Sequence, residues 1–172
     1  MSHDKRLDQL TALMSAAFEE LVEHYGSKLT RVSELKGELD LAAIIGFSGE
    51  RVSGTVALVT STEGANALRR IAPVTASEGD WLMELSNQML GSLKRKLAAR
   101  AATIEIGIPT VIQGKRLAVR LMVPGLIVCT QIWDLAGTCV SLQLGVLMSD
   151  DLDLSFESQD DIAVAEGVAI VF

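Results

Sequence analysis

Cysteine is scarce in this chain: Cys129 and Cys139 are the only two among 172 residues, and no C-x-x-C pair is present. That excludes a disulfide framework and leaves two buried thiols in a reducing compartment as the expectation. Histidine is equally sparse, with His3 and His24 alone and neither at a metal-ligand spacing, so no zinc site is expected. No glycine-rich phosphate loop follows a strand. The serine of "GFSGE" lacks the nucleophile-elbow pattern and fits a tight hairpin turn instead. Long apolar runs are missing as well. The longest nearly uncharged stretch, "LMVPGLIVCTQIW" over 121–133, contains Pro124 and Gly125 and falls short of the roughly 20 apolar residues of a bilayer span. No membrane segment is expected, and the N-terminus has no secretory apolar core, which makes the cytoplasm the expected location.

Basic residues are absent from the C-terminal end. All 15 Lys and Arg lie before residue 149, whereas Asp150, Asp151, Asp153, Glu157, Asp160, Asp161 and Glu166 follow it, so the net charge of -7 belongs to the tail. A neutral body with an acidic tail has no footprint for a phosphate backbone, and nucleic-acid binding is not expected.

What is present is enough apolar sequence for one well-filled core, at 49% hydrophobic residues and a mean hydropathy of +0.34. Residues 5–24 carry Leu7, Leu10, Met14, Ala17 and Leu21 at helical spacing, ending near Gly26. The stretch 37–61 alternates on both sides of "FSGE" and predicts a β-hairpin. A short helix follows over 60–72, with Thr60 as its cap, Glu63 as the capping-box partner and Pro73 closing it. A long helix is predicted over 77–100, with basic residues in its last turns. Four strand-like runs, "TIEIGIP", "RLAVRLMV", "LIVCTQIWD" and "TCVSLQLGVLM", are separated by short turn signals and imply antiparallel pairing. The fold class is therefore α+β, with helices packed on one face of a mostly antiparallel sheet. The expected organisation is a domain over 1–148 that folds alone and an acidic C-terminal extension over 149–172.

The long helix carries the candidate site. At about 100° per residue, Asp80, Glu84, Asn87 and Gly91 fall within a stripe of roughly 60°, opposite Leu82, Leu85, Met89 and Leu93. Asn is a mediocre helix former, and Gly costs about 1 kcal/mol against Ala. Each residue singly has a bland explanation: a first-turn acid for Asp80, solvated positions for Glu84 and Asn87, close backbone packing for Gly91. Together they form D-x-x-x-E-x-x-N with a glycine one turn on, facing away from the core.

This segment resembles the CheX and CheC family of chemotaxis phosphatases, whose mark is D/S-x-x-x-E-x-x-N on one long helix. "ELSNQMLGSLKRKL", "IIGFSGERVSGTVAL" and "IEIGIPTVIQGK" are similar to the CheX branch in order and spacing, across roughly residues 5–148. The resemblance implies a phosphatase that dephosphorylates the receiver domain of a phosphorylated CheY-like response regulator. It implies Glu84 and Asn87 as catalytic residues and Asp80 and Gly91 as partner-binding ones. No cofactor of its own is expected, because the Mg²⁺ of the reaction sits on the receiver with the receiver's lysine. A homodimer joined at sheet edges is also implied. The alternative is a non-catalytic module, since the flagellar-switch proteins FliM and FliN share the architecture without the motif. Asn66 likewise follows Glu63 by three, as in the CheC branch with two motifs, but Val59 stands where Asp or Ser would begin a second one.

Overall fold

The computed structural model describes residues 3–69, 77–121 and 126–155. Three helices, α1 (His3–His24), α2 (Thr62–Arg69) and α3 (Glu78–Ala98), accompany seven strands. These are β1 (Thr30–Val32), β2 (Leu41–Ser48), β3 (Val52–Thr60), β4 (Glu105–Ile106), β5 (Thr110–Gln113), β6 (Ile127–Leu135) and β7 (Thr138–Met148). The strands form one antiparallel sheet in the order β1-β6-β7-β3-β2-β4, with β5 also on β2. Its interior is β6-β7-β3-β2, made of two hairpins joined along β3 and β7 from Val52↔Met148 to Thr60↔Val140. Among the described residues, no helix is long and apolar enough to cross a membrane.

Local chemistry sets the element ends. Gly26, at φ 83°, stops α1 in a Schellman arrangement: its N–H donates to the Glu23 carbonyl at 2.8 Å and the Ser27 N–H to the Val22 carbonyl at 3.2 Å. Ala136 and Gly137, at φ 52° and 89°, supply the two positive-φ positions that a two-residue hairpin turn between β6 and β7 requires. The helix α2 starts later than its sequence suggests. Thr60 is the last residue of β3 and donates its hydroxyl to the Cys139 carbonyl at 2.8 Å, while the Ser61 hydroxyl accepts the Gly64 N–H at 3.1 Å. Ser61 is thus the cap, because pairing of β3 with β7 claims Thr60 first. Residues 70–72 of the expected helix and Pro73 lie outside the described residues.

One face of the sheet and the helices enclose the main core. The helix α1 contributes Leu10, Met14, Phe18 and Val22, and α3 contributes Leu82, Leu85, Met89, Leu90 and Leu93, all with no exposed surface. Phe18 meets Trp133 of β6 edge-on at 5.2 Å, and the Trp133 indole donates to Glu19 at 2.9 Å.

The expected strand "RLAVRLMV" does not form in residues 116–121, and 122–123 lie outside the described residues. Instead Leu117, Val119 and Leu121 lie over Ala42, Ala57 and Val59 on the sheet's second face, with the Leu117 N–H bonded to the Leu39 carbonyl at 2.7 Å. The alternation is real, but it reflects burial of one side without a neighbouring strand. The "TIEIGIP" run is likewise divided: Gly107 donates to the Gly46 carbonyl at 2.8 Å, and Ile108 projects at 90% exposure between β4 and β5.

The expected boundary at residue 148 falls ahead of further packing. Leu152 and Leu154 are 2% and 4% exposed and belong to the main core. The nearly buried Arg6 guanidinium of α1 donates to the Ser149 and Asp150 carbonyls and to Asp150 Oδ1, the last at 3.1 Å. Arg51 pairs with Asp151 at 3.5 Å, and Arg100 donates to the Leu154 carbonyl at 3.1 Å. The Ser155 hydroxyl and then its N–H hold the Asp153 carboxyl below the usual carboxylate range. The first acids of the tail therefore meet bases of the body, while residues 156–172 lie outside the described residues.

Candidate functional site

The stripe is mounted on α3 by a capping box. The Ser77 hydroxyl accepts the Asp80 N–H at 3.2 Å, and Asp80 Oδ2 accepts the Ser77 N–H at 3.3 Å and the Ser77 hydroxyl at 2.7 Å. Two orphan donors of the first turn are satisfied reciprocally, and the acid also suits the positive end of the helix. The other side of α3 is committed to the core through Trp81, Leu82, Leu85, Met89, Leu90, Leu93 and Leu97. This anchoring leaves little freedom to rotate the helix about its axis, which fixes what the opposite side presents.

Asp80, Glu84 and Asn87 are exposed, as the spacing predicts, and Gly91 is half-buried. Their present bonds differ. Asp80 already serves the cap with Oδ2, while its Oδ1 has no hydrogen bond among the described residues. Glu84 Oε1 accepts the Gln88 amide at 2.7 Å, and Gln88 Oε1 in turn accepts the Tyr25 hydroxyl at 2.7 Å. The Asn87 side chain makes no hydrogen bond among the described residues, so the donors and the acceptor of its amide are all available. Gly91 sits in a groove of about 370 Å³ between α1 and α3, beside Leu21, His24, Gln88 and Arg95. A Cβ at Gly91 would meet only the end of the Arg95 side chain, at 4.0 Å. Close packing within the chain therefore does not account for this glycine, although it is costly in a helix.

Sequence reasoning missed Gln88 and Tyr25. Gln88 was signalled only by standing four residues after Glu84, and Tyr25 by nothing local, since its approach depends on how α1 crosses α3. The Glu63 and Asn66 pair lies on α2 with Glu63 exposed and Asn66 half-buried, but Val59 is buried within β3 and gives the pair no third member. Among the described residues, no group of three or more His, Cys, Asp or Glu could hold a metal ion.

A helix that shows a carboxylate and an unbonded amide one turn apart, rigidly seated in a core, can be inserted into a partner's cleft. The carboxylate can take a cation, and the amide can both donate to and accept from a water. The family model described as chemotaxis phosphatase CheX matches residues 41–131. No curated protein matches the chain. Among solved structures, the chain is similar to the chemotaxis protein CheX of Vibrio vulnificus, with a TM-score of 0.70 at 16% identity over 80% of this chain and 96% of the other. It is also similar to CheX of Borrelia burgdorferi in a complex with CheY, BeF₃ and Mg²⁺, with a TM-score of 0.63 at 14% identity over 79% and 96%. FliY of Thermotoga maritima matches with a TM-score of 0.56 at 13% identity over 87% and 92%. At these identities the structural likenesses establish the fold: three helices against a seven-stranded antiparallel sheet.

Proposed function

The chain belongs to the CheX family of chemotaxis phosphatases, and on that premise we propose that it hydrolyses the aspartyl phosphate of a CheY-like receiver domain. The observation that carries this reading is Asn87, an exposed amide without an intramolecular partner among the described residues, on a helix anchored by its opposite side. In the reaction, Asn87 holds a water in line with the phosphorus. The water oxygen forms the new bond to phosphorus as the bond to the aspartate oxygen breaks. The receiver regains its carboxylate, and inorganic phosphate leaves with the water's proton released. An amide suits this task because, unlike a carboxylate, it adds no negative charge against the phosphoryl oxygens. Mg²⁺ and a lysine of the receiver supply charge neutralisation, so this chain needs no metal of its own.

Glu84 binds a cation of the receiver, which fixes the helix in the cleft. Asp80 makes an edge contact through its spare oxygen, and Gly91 lets the partner's surface come close to the helix. The experiment is phosphate release from a panel of phosphorylated receivers, with Glu84→Ala beside the wild type. The variant is expected to raise the receiver KM as well as lower the rate, by about tenfold or more in kcat/KM, the cost of a lost charge-assisted hydrogen bond. Receivers that bind the wild type but are never turned over would instead establish the non-catalytic module.

A homodimer joined at a sheet edge is part of this proposal. Among the described residues, Ile127–Gln131 of β6 have no strand on the side away from β7, because β1 pairs only with Ile132–Asp134. Such an edge offers unpaired backbone groups to a second copy. Light scattering coupled to size exclusion should report twice the 18.4 kDa chain mass. A monomer at micromolar concentration would remove the dimer from the proposal.

A further inference from the structure

Glu84 is exposed, and an exposed glutamate samples several rotamers that a partner must freeze on binding. Here one of its oxygens is already tethered. Gln88 Nε2 donates to Glu84 Oε1 at 2.7 Å, and Tyr25 Oη donates to Gln88 Oε1 at 2.7 Å. Chemistry dictates this orientation of the amide. An ionised carboxylate can only accept, so Gln88 must turn its NH₂ group to Glu84 and its carbonyl to Tyr25, whose phenol has a proton to give.

The far end of the chain of bonds is rigid. Tyr25 follows the last residue of α1, where the Schellman turn at Gly26 fixes the backbone. Its ring meets Trp81 edge-on, with centroids 5.4 Å apart, and Trp81 is only 3% exposed in the core. A buried indole thus holds a phenol, the phenol holds an amide, and the amide holds one oxygen of an exposed carboxylate. The second oxygen, Oε2, has no hydrogen bond among the described residues.

We propose that Tyr25 and Gln88 are positioning residues that hold Glu84 in a single conformation, so that Oε2 is presented to a cation of the receiver before the two proteins meet. This rests on the phosphatase reading and adds to it a specific source of preorganisation outside the D-x-x-x-E-x-x-N stripe. Neither residue touches the phosphoryl group or the water, and both act through Glu84. Their contribution therefore falls on association with the receiver, while Asn87 governs the chemical step.

The test compares the full chain with Tyr25→Phe and with Gln88→Met, which keeps the side-chain length but removes both bonds. Each is also placed in a Glu84→Ala background. In the free protein, ¹⁵N relaxation of the Gln88 side-chain amide should report an ordered group that loosens in Tyr25→Phe. With a phosphorylated CheY-like receiver, both variants should raise KM by about two- to tenfold, the cost of ordering one flexible side chain, while kcat falls less than twofold. In the Glu84→Ala background, Tyr25→Phe should add nothing to KM. A merely structural role for Tyr25 would raise KM equally in both backgrounds and would overturn the proposal. An unaltered Gln88 signal in Tyr25→Phe would overturn it too. A wild type that releases no phosphate from any receiver overturns the phosphatase reading and this role with it. An active wild type matched by Tyr25→Phe in KM overturns the positioning role alone.

Discussion

Replacing Asn87 with Ala should lower phosphate release from a phosphorylated receiver by at least about two orders of magnitude, since a group that positions water only in the transition state is worth on the order of 3 kcal/mol. The same substitution should leave the fold intact and raise its stability by a few tenths of a kcal/mol, because Ala is the better helix former. The surroundings of the residue make the separation clean. The Asn87 side chain is exposed and makes no hydrogen bond among the described residues, so truncation breaks no internal hydrogen bond and opens no buried cavity. Binding of a receiver activated with BeF₃ should persist in the variant, through Glu84. Single-turnover phosphate release, thermal unfolding and a binding titration check the three parts. A variant that unfolds would mean that the amide is buried against something in solution. One that folds, binds and dephosphorylates like the wild type would end the enzymatic role of the stripe and favour the non-catalytic module.

Ending the chain at Met148 should leave it much less stable than ending it at Ser155. The difference lies in seven residues that contain two leucines of the core, at 2% and 4% exposure. Full burial of a leucine contributes about 1.5–3 kcal/mol, so losing both costs about 3–6 kcal/mol. That is a large share of the roughly 5–15 kcal/mol by which a domain is stable. The Arg6 guanidinium would also lose the Ser149 and Asp150 carbonyls that now receive its protons, and it is only 3% exposed. The 1–148 chain should therefore melt about 10 °C or more below the 1–155 chain. Calorimetry on the two chains decides this. Equal melting of the two would support the boundary at residue 148 and show that Leu152 and Leu154 are dispensable to the core.

Much of the candidate site could be read from the chain because its determinants are local. Two neighbouring residues on a helix face are related by fixed geometry, so the spacing of Asp80, Glu84 and Asn87 against Leu82, Leu85 and Met89 specifies both the stripe and its exposure without reference to any other element. The Schellman stop at Gly26 and the two-residue turn at Ala136–Gly137 are equally local, since a positive φ is a property of the residue and its immediate neighbours. Alternation also located β2, β3, β6 and β7.

Tertiary structure decided the matters in which distant segments compete. Residues 117–121 alternate as a strand does, yet β6, β7, β3 and β2 already pair among themselves, and β4 and β5 occupy the outer edge of β2. Period-two patterning reports that one side is buried; it carries no information about whether a neighbour offers hydrogen bonds. The same competition moved the α2 cap from Thr60 to Ser61, because the ladder to β7 extends through Thr60. Charge counting set the tail apart as acidic, but Arg6, Arg51 and Arg100 come to it from three separate parts of the chain. The link from Tyr25 to Glu84 is of this kind as well. Its two ends are 59 positions apart in the sequence, and they meet only because α1 and α3 cross with the Tyr25 ring against Trp81. The sequence alone determined which side of α3 is presented to a partner, because helical periodicity is intrinsic to the backbone; packing alone determined how firmly Glu84 is held there, because that depends on a contact no local rule encodes.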